Sequence, residues 1–127
     1  MILGVGLDVV PIARMADLLA RHGARAERRL FSEGERLDCA GRGIPAQHFA
    51  ARFAAKEAAV KALGGPPGLR WGDIEVRSLP GGAPILLFTG AARTAAARRG
   101  VTAQHVSLTH AGGVAAAVVV IEGTTPA

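Results

Sequence analysis

One cysteine, Cys39, stands among 127 residues, which excludes an internal disulfide and favours a reducing, cytoplasmic setting. Aromatic residues are scarce: there is no tyrosine, one tryptophan and four phenylalanines. Such a supply is poor for stacking bases, and the basic residues are spread over several elements, so a nucleic-acid-binding module is the weaker reading. Long apolar runs are lacking too, and the stretch from Val114 to Ile121 is far too short to span a bilayer. No basic segment precedes the first apolar residues, and Asp8 interrupts them, so we expect neither a signal peptide nor a membrane anchor. Phosphate-loop, dinucleotide-binding and nucleophile-elbow signatures are absent. His22, His48 and His105 are scattered and lack zinc-ligand spacing.

What the chain does have is positive charge. Fifteen Lys and Arg against ten Asp and Glu leave a formal charge of +5. That balance suits a polyanionic partner: nucleic acid, an acidic protein or a phosphorylated small molecule. Half the residues are apolar, enough for one core, and no repeat or linker divides the chain. We therefore expect a single domain over residues 1–127, small enough to profit from oligomerisation.

Alternation predicts a strand over residues 2–10, with Leu3, Val5, Leu7 and Val9 on one face and Ile2, Gly4, Gly6 and Asp8 on the other. Two glycines beside a carboxylate leave room for something other than a side chain. A helix follows from about Ile12 to His22, stopped by Gly23, with Ile12, Met15, Ala16 and Leu19 as its buried stripe. Ser32 and Glu35 have the spacing of a capping box. Residues 46–63 are the strongest helix, alanine-rich and closed by Gly64. Strands are expected at 73–78, 84–88, 104–109 and 114–121, with a helix at 91–99. The later strands are joined too tightly for crossovers, so the fold class is α+β, a largely antiparallel sheet packed with helices.

Glu57 and Lys61 lie four apart and project from one helix face. Alone they read as an ordinary surface pair, and Asp8 alone as a strand-end residue bonded to a turn amide. Together, Asp8 and Glu57 can supply two oxygen ligands to a hard cation such as magnesium, which takes one or two carboxylates and completes its shell with waters and phosphates. Lys61 would face the same phosphates. Arg14 and Arg21 share a helix face, joined by Arg25 if the helix continues. This stripe is either a solvated face or a landing strip for an acidic partner.

The segment Gly4-Val5-Gly6-Leu7-Asp8-Val9-Val10, followed by Arg52-Phe53-Ala54-Ala55-Lys56-Glu57-Ala58-Ala59-Val60-Lys61-Ala62-Leu63-Gly64, resembles the two-part signature of the 4'-phosphopantetheinyl transferase superfamily. The length, and the late Val106-Ser107-Leu108-Thr109-His110, resemble its short, trimeric branch. The resemblance implies transfer of phosphopantetheine from coenzyme A to a serine of apo-acyl carrier protein, in support of fatty-acid or polyketide biosynthesis. It implies Mg2+ on Asp8 and Glu57, charge neutralisation by Lys61, and coenzyme A contacts from Arg52, Lys61, Gly64 and His110. The carrier protein would meet Arg14, Arg21 and Arg25. Active sites would lie between the subunits of a homotrimer, with Asp8 and the Glu57/Lys61 helix facing across an interface. The general base is left between Glu57 and a metal-bound water. The loop Gly64-Gly65-Pro66-Pro67-Gly68 departs from the family's more usual Gly-Thr-Gly. A degenerate member acting only as a scaffold is the further alternative.

Overall fold

The computed structural model describes residues 1–124. Strand β1 (Ile2–Pro11) leads into helices α1 (Ile12–Leu30), α2 (Glu33–Ala40) and α3 (Pro45–Ala62). A single 3-10 turn (Trp71–Asp73) precedes β2 (Ile74–Ser78) and β3 (Pro84–Phe88), and α4 (Gly90–Arg98), β4 (Val101–Ala111) and β5 (Val114–Gly123) complete the order. Each expected element is present, with β4 and β5 longer than the sequence pattern suggested. All pairing is antiparallel. β5 lies between β1 and β4, while β2 and β3 form a separate two-stranded sheet. The Gln104 side-chain amide donates to the Leu86 carbonyl at 3.1 Å and ties the two sheets together. Among the described residues no helix is long and apolar enough to cross a membrane.

Gly23 interrupts α1 without ending it. Its backbone (φ 53°, ψ −139°) breaks the helical path, and the chain then resumes helix to Leu30. Only glycine adopts such an angle readily, so the sequence signal was a kink rather than a stop. The buried stripe of the first segment is Ile12, Met15, Leu18 and Leu19, whereas Ala16 is exposed. The expected capping box is formed: Ser32 accepts from the Glu35 amide at 3.1 Å, and Glu35 accepts from the Ser32 amide at 2.8 Å.

Helix α3 crosses the inner face of the three-stranded sheet, and the absence of large side chains is what lets it do so. Ala54, Ala55, Ala58, Ala59 and Ala62 are buried along it. On β1, a Cβ placed at Gly4 would overlap the Ala62 carbonyl, and one at Gly6 would overlap the Ala58 carbonyl. The room left by the two glycines is thus filled by helix backbone. Gly6→Ala should force β1 away from α3, with a loss of about 1–3 kcal/mol typical of overpacking. Thermal and urea melts check this, and unchanged stability would show that the contact is loose.

The core also holds a charge pair. Lys56 and Glu35 are fully buried, with Nζ 2.7 Å from Oε1. The ammonium donates further to the carbonyls of Trp71 (3.0 Å) and Ile74 (2.8 Å), and Glu35 Oε2 accepts the Val76 amide at 2.9 Å. The pair joins α2, α3 and β2, with Phe31 5.6 Å from the ammonium. Burial holds the Lys56 pKa below its ordinary value, against the pull of Glu35. Cys39 is packed beside this network, and burial pushes its thiol up to about 12, so it is no nucleophile. Lys56→Met leaves a buried carboxylate without its cation and should cost about 3–5 kcal/mol in urea unfolding. A loss of only a few tenths would mean that the pair contributes nothing to the fold.

Candidate active site

β1 presents Gly4, Gly6, Asp8 and Val10 to the helix side, as alternation requires, and α3 presents Glu57 and Lys61 back to it. Because α3 rests on the strand's glycines, these side chains meet within one chain. Lys61 Nζ donates to Asp8 Oδ1 at 3.1 Å and to the Leu7 carbonyl at 3.0 Å. This corrects the expectation that Asp8 and the Glu57/Lys61 helix face each other across a subunit interface. One protomer assembles all three residues, since the close approach of strand and helix is internal to the fold.

The electrostatics of this cluster are unresolved by the protein itself. Asp8 Oδ2 is buried and has no hydrogen-bond partner. Glu57 lies beside it, its carboxyl pushed up to about 7 by burial first and then by the neighbouring Asp8 carboxylate; Lys61 and Arg14 pull it down less strongly. Two neighbouring carboxylates need a proton or a cation between them. The donor set suits magnesium: hard oxygen ligands, an orphaned lone pair, and an ammonium placed for phosphate. No group of three or more His, Cys, Asp or Glu with metal-binding geometry occurs among the described residues.

Gly64 follows directly, at φ 81° in the turn that leaves α3, where its amide bonds the Lys61 carbonyl at 3.0 Å. Arg52 and His110 belong to the other end of the helix. Arg52 precedes Glu57 by five residues, about 7.5 Å along the axis. Its side chain is only 4% exposed, paired with Asp38 and directed at the His48 carbonyl (3.4 Å). Arg52 is thus turned inward to α2 and not out to a ligand, because Asp38 captures the guanidinium. His110, at the end of β4, stands 2.9 Å from the Gln47 amide nitrogen and packs edge-on against His48, with ring centroids 6.3 Å apart. Burial first, then Arg42, Arg52 and His110, hold His48 below its ordinary pKa. Gln47 was not singled out in the sequence, and His48, one turn before Arg52 on the same helix, was read there only as a scattered histidine.

Of the arginine stripe, Arg14 is near enough to Glu57 for its charge to act on that carboxyl. Arg21 is exposed and pairs with Asp17 at 3.2 Å. Arg25 lies beyond the Gly23 kink, on the wall of an open groove of about 510 Å³ shared with Leu18, His22, Arg29 and Trp71.

A profile of the 4'-phosphopantetheinyl transferase superfamily matches residues 4–119. The holo-[acyl-carrier-protein] synthase of Anaeromyxobacter dehalogenans strain 2CP-1 is 56% identical over 99% of this chain and all of its own length. Among solved structures, the Helicobacter pylori holo-[acyl-carrier-protein] synthase in complex with coenzyme A superposes with a TM-score of 0.82 at 29% identity, covering 93% of this chain and 99% of that one. The Bacillus anthracis enzyme, in complex with CoA (3',5'-ADP), gives 0.79 at 32% identity, with 98% and 99% covered. Fold, signature residues and full-length similarity agree, and the chain belongs to the 4'-phosphopantetheinyl transferase superfamily.

Proposed function

We propose that this chain transfers the 4'-phosphopantetheine moiety of coenzyme A to a serine of apo-acyl carrier protein, releasing adenosine 3',5'-bisphosphate, in a magnesium-dependent reaction. The observation that carries this reading is the pair Asp8 and Glu57, one with a buried oxygen left unpartnered and the other driven up to about 7, with Lys61 bridging to the same strand. Asp8 and Glu57 would hold the metal. When bound, it supplies charge neutralisation on the pyrophosphate. The serine hydroxyl gives up its proton to the general base, Glu57 or a water, as its oxygen forms a bond to the β-phosphorus; the bond from that phosphorus to the bridging oxygen breaks, and adenosine 3',5'-bisphosphate leaves with that oxygen. Lys61 releases Asp8 to meet the phosphate under attack, where positive charge counts most. Gly64, in the turn after Lys61, would approach the nucleotide end; His110 and Arg52 stand toward the other end of α3, where Arg52 holds Asp38 and the His48 carbonyl.

The carrier is an acidic protein of fatty-acid or polyketide biosynthesis, and Arg14, Arg21 and Arg25 give it a basic face whose charges set on-rate more than affinity. The setting is cytoplasmic, in keeping with a lone, buried thiol. Residues 1–127 work as one phosphopantetheinyl transferase domain, because a single apolar cluster runs from Val10 to Ile121. Protomers associate as a homotrimer through the outer face of β1, where Val5, Leu7 and Val9 are 57%, 61% and 53% exposed beside Ala116, Val118 and Val120 of β5. An apolar face of this kind on a domain this small calls for a partner surface. The active sites then lie beside subunit boundaries, since Asp8 is on the same strand.

Intact-mass spectrometry of apo-acyl carrier protein incubated with the chain, coenzyme A and magnesium should show a phosphopantetheine-sized gain. EDTA should abolish it, and Glu57→Gln should reduce turnover at least about a hundredfold while remaining folded. Wild-type activity in Glu57→Gln would sink the metal site; no gain with any carrier would favour a scaffold. Separately, Leu7→Glu should convert the trimer to monomer by light scattering, and an unchanged mass would place the interface elsewhere.

A further inference from the structure

We propose that Arg99 is a positioning residue for this site, one guanidinium that sets the spacing between the strand carrying Asp8 and the helix carrying Glu57 and Lys61. The inference rests on the reading of those three residues given above. Arg99 Nη1 donates to the Ala62 carbonyl at 2.7 Å and Nη2 to the Leu3 carbonyl at 2.6 Å. Ala62 is the last residue of α3, where carbonyls lack intrahelical partners and a cation is favoured by the helix dipole. Leu3 belongs to β1, next to Gly4, whose missing Cβ is what admits the Ala62 carbonyl. Two carbonyl oxygens from two elements thus converge on one cation.

Lys61 is adjacent to Ala62 in sequence, so the clamp acts one residue away from the ammonium that reaches Leu7 and Asp8. It also underlies Gly64, since a Cβ on that residue would lie 3.7 Å from Nη1. Arg99 is itself anchored. Its amide caps α4 through the carbonyls of Ala95 and Ala96 at 3.2 Å, and the neighbouring Gly100 carbonyl accepts from Thr124 at 3.1 Å. The arrangement needs the planar fork of arginine, because two donors must point at two fixed acceptors; a lysine ammonium lacks that geometry. Without the fork, β1 and α3 keep only the bonds of the flexible Lys61 side chain and van der Waals contact near this end, and the spacing that lets one cation satisfy Asp8 and Glu57 is no longer enforced.

The test compares full-length wild type, Arg99→Met, Arg99→Lys and Glu57→Gln, each at a temperature where near-UV circular dichroism shows it folded. Turnover is followed with coenzyme A and apo-acyl carrier protein, and Mn2+ binding by electron paramagnetic resonance. Arg99→Met should lower kcat about tenfold or more and weaken Mn2+ binding by a similar factor, because small misplacements of reacting groups are costly; the carrier KM should stay within about twofold. Arg99→Lys should recover only part of the loss. A fall in melting temperature with kcat and Mn2+ affinity unchanged would overturn the proposal and leave Arg99 a purely structural clamp. An equal rise in the carrier KM would also overturn it. Wild-type Mn2+ binding in Glu57→Gln would instead fail the metal reading, and Arg99 is then decided on kcat alone.

Discussion

The approach of the α3 backbone to the backbone of β1 is the contact on which the rest of the molecule depends. A helix normally stands about 10 Å from a sheet, separated by a layer of side chains. Here Gly4 and Gly6 remove that layer on the strand, and a run of alanines thins it on the helix. The short separation then dictates the chemistry. Side chains as short as Asp8 and Glu57 can meet, Lys61 can span to a β1 carbonyl, and partial burial already raises the Glu57 carboxyl. Site and core are one construction.

Lys56 and Glu57 are neighbours on α3, yet the fold treats their charges in opposite ways. Lys56 points inward, where a carboxylate and two carbonyls satisfy its three protons. Glu57 points to another carboxylate. A protein that completes one buried charge with three partnerships spread over three elements has the means to complete a half-buried one, but leaves Glu57 beside a like charge with Asp8 Oδ2 unpartnered. Frustration of this kind, next to a fully satisfied network on the same helix, marks the place where a ligand supplies the missing charge. The satisfied pair has its own part in this. By locking α3 to α2 and β2, it gives Glu57 a rigid base, so that repulsion from Asp8 cannot be relieved by the helix moving away.

Most elements were legible in the sequence because each is specified locally: alternation for β1, Ser32 and Glu35 for the start of α2, alanine followed by Gly64 for α3. Gly23 was legible as a break, but not as a kink, since the helix resumes beyond it with Leu30 packed against the core, a contact made through space. Asp8, Glu57 and Lys61 were legible through their paired motifs. What stayed hidden was every partnership made through space. Lys56 reads as a surface lysine until Glu35 is placed against it. Arg52 reads as an outward ligand until Asp38 turns it inward. Arg99 sits in an ordinary basic helix end, and nothing in its neighbours announces that its targets are carbonyls of residues 3 and 62.

The same strand that brings Asp8 to the helix turns Leu7 and Val9 the other way, exposed on the outer face of the sheet. With a side-chain period of two, these residues cannot move independently: any slip or twist that improves contact on one face displaces Asp8 on the other. Lys61 adds to the coupling, since it bonds both the Asp8 carboxylate and the Leu7 carbonyl. A partner covering Val5, Leu7 and Val9 would therefore stabilise more than an apolar patch. It would fix the pitch of β1 from outside as α3 and Arg99 fix it from within, and the position of the Asp8 carboxylate is the quantity both constraints would determine.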